Sequence, residues 1–93
     1  MRVIWSPAAV QDVSRIYDYI SLFNPNAAQK LASRLFEAAG QLERFPFSGR
    51  ISGPVGEREL AVVRPYILVY EVQPDLVRVL RVWHGAQDRS FRP

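Results

Sequence analysis

Two places in this chain pair a helix-capping side chain with a proline: Ser6 with Pro7, and Asn24 with Pro25. A Ser or Asn side chain accepts hydrogen bonds from the open N–H groups of a first helical turn, and proline presets φ at the first helical position. Each pair therefore predicts a helix start. After the first, apolar residues fall at Ala9, Val13, Ile16, Tyr17 and Ile20, a three-and-four spacing that lines one stripe of a helix over residues 7–22. After the second, Ala28, Leu31, Leu35, Ala38, Leu42 and Phe45 keep a near-heptad seam along a longer helix. So short a connection makes the two helices antiparallel, and Ala28, Ala38 and Ala39 let them approach closely. The chain must be built around a helical hairpin.

Residues 2–5 ahead of the hairpin are β-prone. Residues 46–57 behind it hold three glycines and two prolines, which end a helix and predict a flexible surface loop. Three further β-prone segments follow, at 59–63, 66–72 and 76–84, the last two separated by the turn residues Gln73, Pro74 and Asp75. They predict an antiparallel meander. The last two strands are apolar on both alternating faces apart from Glu71, Arg78 and Arg81, which predicts a central position in the sheet. The order βααβββ gives an α+β fold in one domain over residues 1–93. Its N-terminal strand joins a mostly antiparallel four-stranded sheet, and the helical hairpin packs on one face. Both helices are then used on one side, so apolar surface from Ile67, Val69, Val79 or Trp83 on the other would form a binding patch.

Composition narrows the chemistry. The chain has no cysteine and a single histidine, which removes disulfides, thiol catalysis and cysteine-ligated zinc, and leaves neither a metal nor a cofactor expected. No apolar run reaches the roughly 20 residues of a membrane span, and the N-terminus lacks a secretory layout, so the expected compartment is the cytoplasm. The net charge is +3, and eleven of the twelve cations are Arg, whose planar fork suits carboxylates and phosphates. An acidic or nucleic-acid partner fits that balance, and so does a small basic protein from a GC-rich genome. A domain this size buries only about 60–65% of its unfolded surface, so a standing partner would add stability.

Several segments in order resemble the RelE/ParE toxins of bacterial type II toxin–antitoxin systems. They are WSPAAVQDVSRIYDYI at residues 5–20, LERFPFSGR at 42–50, REL at 58–60 with PYILVYEV at 65–72, and VRVLRVWHGAQDR at 77–89. The resemblance spans nearly the whole chain and agrees with the βααβββ order. It implies a growth-inhibiting toxin held inactive by a co-expressed antitoxin whose acidic, amphipathic C-terminal segment wraps it.

Within that family two chemistries compete. RelE-like members cut mRNA on the ribosome, which without a metal takes a base for the 2′-hydroxyl, a cation for the phosphate and an acid for the leaving oxygen. Those nucleases usually carry an Arg directly after the Tyr of the PYILVYEV-like strand, and this chain has Ile67 there. Their C-terminal catalytic Tyr has no counterpart in GAQDRSFRP, which offers only Phe91. His84 stands where one nuclease branch has its acid or base, and equally where ParE-like members have an HG-x-x-D ending. Asp88 is a carboxylate partner for it if the tail turns helically, although a strand-end His is more often structural. The nuclease alternative would use His84 with Arg64 or Arg81.

ParE-like members bind DNA gyrase and trap its cleaved-DNA complex without chemistry of their own, so on that reading no catalytic residue is expected. The contact residues for target or antitoxin are then Arg78, Arg81, Arg89 and Arg92, with Trp83 as an aromatic anchor and Ile67 and His84 beside them. Arg50 either presents a cation next to this groove or caps the C-terminus of the second helix. The plainer account of these Arg residues is that they solvate a sheet edge or pair with Glu59, Glu71, Asp75 and Asp88. Gln87 departs from the Arg of many ParE-like tails. Trp5, Tyr17, Tyr19, Phe23, Phe36, Phe45, Tyr66, Tyr70 and Trp83 are mostly expected as packing residues, and glycines 49, 53 and 56 as turn residues.

Overall fold

In the computed structural model, which describes residues 1–85, strand β1 (Arg2–Trp5) hands over to helix α1 (Pro7–Ser21) at Ser6. The Ser6 Oγ accepts the Ala9 N–H at 3.0 Å, and the same hydroxyl donates to the Leu80 carbonyl at 2.9 Å. One side chain both starts the helix and ties it to a strand far along the chain. Asn24 repeats the cap for α2 (Pro25–Gln41), its Oδ1 accepting the Ala27 N–H at 3.1 Å. The predicted starts hold because capping is local. The second helix ends earlier than its apolar seam suggests, since Leu42 already serves as its C-cap, and Phe45 is exposed instead of buried.

Behind α2 come β2 (Arg50–Ile51), β3 (Arg58–Val63), β4 (Tyr66–Val72) and β5 (Leu76–His84). Among the described residues the sheet has five strands in the order β1-β5-β4-β3-β2, with β1 parallel to β5 and every other pair antiparallel. The α+β class is as expected. The extra strand is β2, a two-residue edge drawn from the predicted loop by pairing with β3. The Arg64–Pro65 peptide bond between β3 and β4 is cis.

Both helices pack on one face of the sheet. Ala9, Ala39 and Leu42 meet Leu68, Tyr70, Val77 and Val79, and beside them Val13, Leu31 and Leu35 meet Val82. The pairing of β4 with β5 shifts register between Val69 and Tyr70, leaving Leu80 as an extra residue in β5. Strict alternation fails there: Val79 before the bulge and Val82 after it both turn toward the helices. This corrects the expected patch on the opposite face. Val79 belongs to the helix-side core, and Val69, on the other face between Glu59 and Arg81, is also buried. Ile67 and Trp83 are half-buried.

The aromatic residues also need correcting. Tyr70 is fully buried and Trp5, Tyr66 and Trp83 are partly so, but Tyr17, Tyr19, Phe23, Phe36 and Phe45 are exposed. A two-helix cover buries one stripe of each helix; Tyr17, Tyr19 and Phe36 flank it, and Phe23 and Phe45 lie past the helix ends. Tyr19 and Phe23 pack edge to face at the hairpin tip with centroids 5.4 Å apart, and Phe36 lies 5.0 Å from Trp5.

The glycine- and proline-rich segment is anchored where it was expected to be loose. The Gly49 N–H donates to the buried Tyr70 Oη at 2.8 Å, and Arg58 donates to the Gly49 carbonyl at 2.7 Å while its guanidinium lies 4.9 Å from the Phe47 ring centroid. A Cβ on Gly49 would stand 2.7 Å from both the Glu59 carbonyl oxygen and the Tyr70 Oη, so only glycine fits. Tyr70→Phe should therefore destabilise the fold by about 1–3 kcal/mol in urea unfolding, because the buried N–H loses its acceptor. A change below a few tenths would remove that bond's assigned role.

Candidate functional site

The four-residue β1 pairs only with Leu76 to Val79 of the nine-residue β5. Beyond Val79 the backbone edge of β5 needs other partners, because an unpaired N–H or C=O in a partly buried place is costly. Ser6 supplies the first: its N–H donates to Val79 O at 2.9 Å and its hydroxyl to Leu80 O. Asp12 supplies the next. From α1 its Oδ2 accepts the Val82 N–H at 2.9 Å, standing in for the missing strand.

The same carboxylate binds Arg81. Nε donates to Oδ2 at 2.7 Å and Nη2 to Oδ1 at 3.0 Å, a bidentate pair across 69 positions of sequence. The Asp12 side chain is 6% exposed and that of Arg81 39%, so the pair is sheltered on the acid's side and open on the base's. Hydrogen bonding to Asp12 raises the Arg81 pKa further, outweighing partial desolvation, and the guanidinium stays charged. It also lies 4.5 Å from the Trp83 ring centroid. Asp12, Arg81 and Trp83 thus form one ordered group.

Around this group is a small cavity of about 170 Å³ lined by Asp12, Arg15, Ile16, Arg81, Val82, Trp83 and His84. His84 turns edge-on to Tyr66, with centroids 5.3 Å apart at 85°. Burial, and secondarily Tyr19, pushes the Tyr66 phenol above the ordinary tyrosine range. Arg64 and Ile67 line a different cavity, of about 360 Å³, with Ala61, Pro65, Tyr66 and Gly85.

The structure therefore brings Arg81, Trp83 and His84 together, with Ile67 directly across from Trp83 in the strand register. Arg78 lies toward the other end of β5, opposite Glu71 on β4 and Ile4 on β1. Arg50 does not cap α2: it lies in β2 at the far edge of the sheet and pairs with Glu59 at 3.3 Å, as the plainer account of the Arg residues allowed. Arg89, Arg92 and the His84–Asp88 pairing lie outside the described residues. Asp12 and Arg15 were missed in the sequence. A local signal existed for Asp12, which falls three residues after Ala9 and four before Ile16, a carboxylate on the buried stripe. Among the described residues no group of three or more His, Asp or Glu side chains is placed to hold a metal, and no helix is long and apolar enough to cross a membrane.

Two outcomes test this geometry. Asp12→Ala strands both the Val82 N–H and a guanidinium, and should cost on the order of 3 kcal/mol in chemical unfolding, with part regained in the Asp12→Ala/Arg81→Met double variant. No recovery would mean that the two side chains are not coupled. The raised Tyr66 pKa means that the fold favours the neutral phenol. Its contribution is complete below the unfolded pKa of about 10 and is lost as pH rises from there through the higher folded value, so stability should decline over that interval, and less steeply in Tyr66→Phe.

Comparison with known proteins agrees with this architecture. Residues 3–89 match the family model of the ParE toxin of the type II toxin–antitoxin system, parDE. Toxin RelE2 of Caulobacter vibrioides is 42% identical over 86 residues, which cover 92% of this chain and 97% of that protein. Putative toxin Y4kP of Sinorhizobium fredii is 33% identical over 87 residues, covering 92% and 90%. In three dimensions the chain superposes on a solved structure of the chromosomal ParDE TA system from P. aeruginosa with a TM-score of 0.81 and 26% identity, covering 90% of this chain and 95% of that one. With its sequence matched almost end to end and its fold shared, the chain belongs to the ParE toxin family of type II toxin–antitoxin systems, within the wider RelE/ParE group, and such a toxin has a cognate antitoxin as its partner.

Proposed function

We propose that this toxin arrests growth in the cytoplasm by binding DNA gyrase, and that its antitoxin silences it by laying an acidic, amphipathic segment along the β5 side of the sheet. The observation that carries the choice of target is the engagement of Asp12. Metal-free RNA cleavage takes both an acid and a base beside its cation. Asp12, the carboxylate that lines the cavity with His84, already accepts three hydrogen bonds from Arg81 and Val82, and Arg64 lines a different cavity from His84. Ile67, where RelE-like nucleases usually carry an Arg, supports the same reading. A surface of fixed Arg and Trp side chains suits recognition by complementarity. Arg81, Trp83, His84 and Ile67 are its central contacts, with Arg78, Arg89 and Arg92 extending it, and Arg50 stands apart on the opposite edge.

The second reading, a ribosome-dependent mRNA endoribonuclease, is favoured by one observation: His84 and Arg81 line the same cavity. Induction of the toxin without its antitoxin separates the two. Gyrase poisoning should yield cleaved chromosomal DNA with gyrase attached and uncut messages. Cuts inside codons of translated mRNA, abolished by His84→Ala and with DNA intact, would sink the gyrase reading.

A further inference from the structure

The cavity between α1 and the end of β5 carries more positive charge than it uses. Its wall holds two guanidinium groups, Arg15 and Arg81, against one carboxylate, Asp12. Asp12 is fully engaged, with Oδ2 accepting from Arg81 Nε and Val82 N and Oδ1 from Arg81 Nη2. A guanidinium offers five N–H donors around a planar fork. Asp12 takes the Nε–Nη2 side, which leaves the end formed by Nη1 and Nη2 for another acceptor. Arg15 stands three residues after Asp12, so the two share a helical face. Ile16, Val82 and Trp83 complete the lining with apolar surface.

We propose that this cavity seats one carboxylate side chain, aspartate or glutamate, presented by the cognate antitoxin and held between the open end of Arg81 and the guanidinium of Arg15. The volume of about 170 Å³ suits a single side-chain head with its methylene stem against Ile16, Val82 and Trp83. β1 pairs with β5 only as far as Val79, and beyond it that edge is taken by Ser6 and Asp12, so the antitoxin reaches this cavity through a side chain rather than by adding a strand beside β5. Nucleic acid fits less well, because Arg81 already covers one face of the Trp83 ring that a base would stack on. The charge on Arg81 is permanent and its direction is set by Asp12, so the ligand meets a prepared donor. The assignment rests on the reading that the antitoxin lies on the β5 side.

The test uses the complex with the cognate antitoxin. Arg15→Gln removes a cation from an exposed helical position, and the thermal midpoint of the free toxin reports that the fold is kept. The antitoxin dissociation constant should rise about tenfold or more, with a shallower dependence on salt, and Arg15→Lys should restore part of the loss. Replacing the antitoxin's acidic residues one at a time should find a single carboxylate whose loss costs at least as much as Arg15→Gln, and costs clearly less in the Arg15→Gln background, where only Arg81 still holds it. Unchanged affinity, or losses that add for every carboxylate, would overturn the assignment. So would an Arg15→Gln toxin that binds antitoxin normally but no longer arrests growth, since the cavity would then serve the target. The gyrase reading is judged separately in cells without antitoxin, where mRNA cutting would defeat that reading and leave the affinity result standing.

Discussion

A nine-residue strand with a four-residue neighbour leaves half of one backbone edge to be satisfied by something other than a strand, and in this fold that something is the first helix. Ser6 and Asp12 meet the requirement in turn, the first at Val79 and Leu80, the second at Val82. Because both belong to the start of α1, the helix cannot slide or tilt on the sheet without breaking hydrogen bonds in the strand ladder's continuation. The rest of the packing follows from that fixed placement. Val13 is held over Val82, the hairpin brings Leu31 and Leu35 into the same cluster, and Ala9 sits deep enough to meet Leu42 and Tyr70.

The same carboxylate links architecture to recognition. A buried acid that served only the Val82 N–H would have to hold its charge with a single donor, a poor arrangement away from water. Arg81 completes its coordination and in return becomes a rigid cation on an otherwise adaptable surface. The Leu80 bulge goes with this arrangement: Val82 after it keeps to the core, while Arg81 reaches Asp12 of α1 at the strand edge. Stability and binding here draw on one cluster, and the exposure of Arg81 beside the shelter of Asp12 records the division of labour.

What was legible in the sequence was local. The bounds of β1, β4 and β5 coincide with the β-prone segments, and both helix starts fall on their cap-and-proline pairs, because capping and alternation act over a few residues. What was not legible depended on partners far away. β2 exists because β3 lies beside it, the Leu80 bulge because β4 and β5 differ in register, and the Asp12–Arg81 pair because α1 comes to rest at the end of β5. The open-face patch was misjudged for the same reason: alternation was extended through Val79 and Trp83 without a break. Of the candidate site, Arg81, Trp83 and His84 were identified together because they are neighbours on one strand. Arg15 and Asp12, on another element, needed the fold to bring them in.

The shortness of β2 has a bearing on how such a protein behaves at high local concentration. Sheets recruit one another through long, flat borders on which ladder hydrogen bonds accumulate. On one border β2 covers Arg58 and Glu59 and leaves only Leu60 to Val63 of β3 beside it; on the other stands the four-residue β1, and the longer β5 inside it is screened by a serine and an aspartate. Among the described residues, edge-to-edge pairing between two copies has only short stretches of backbone to work with on either border.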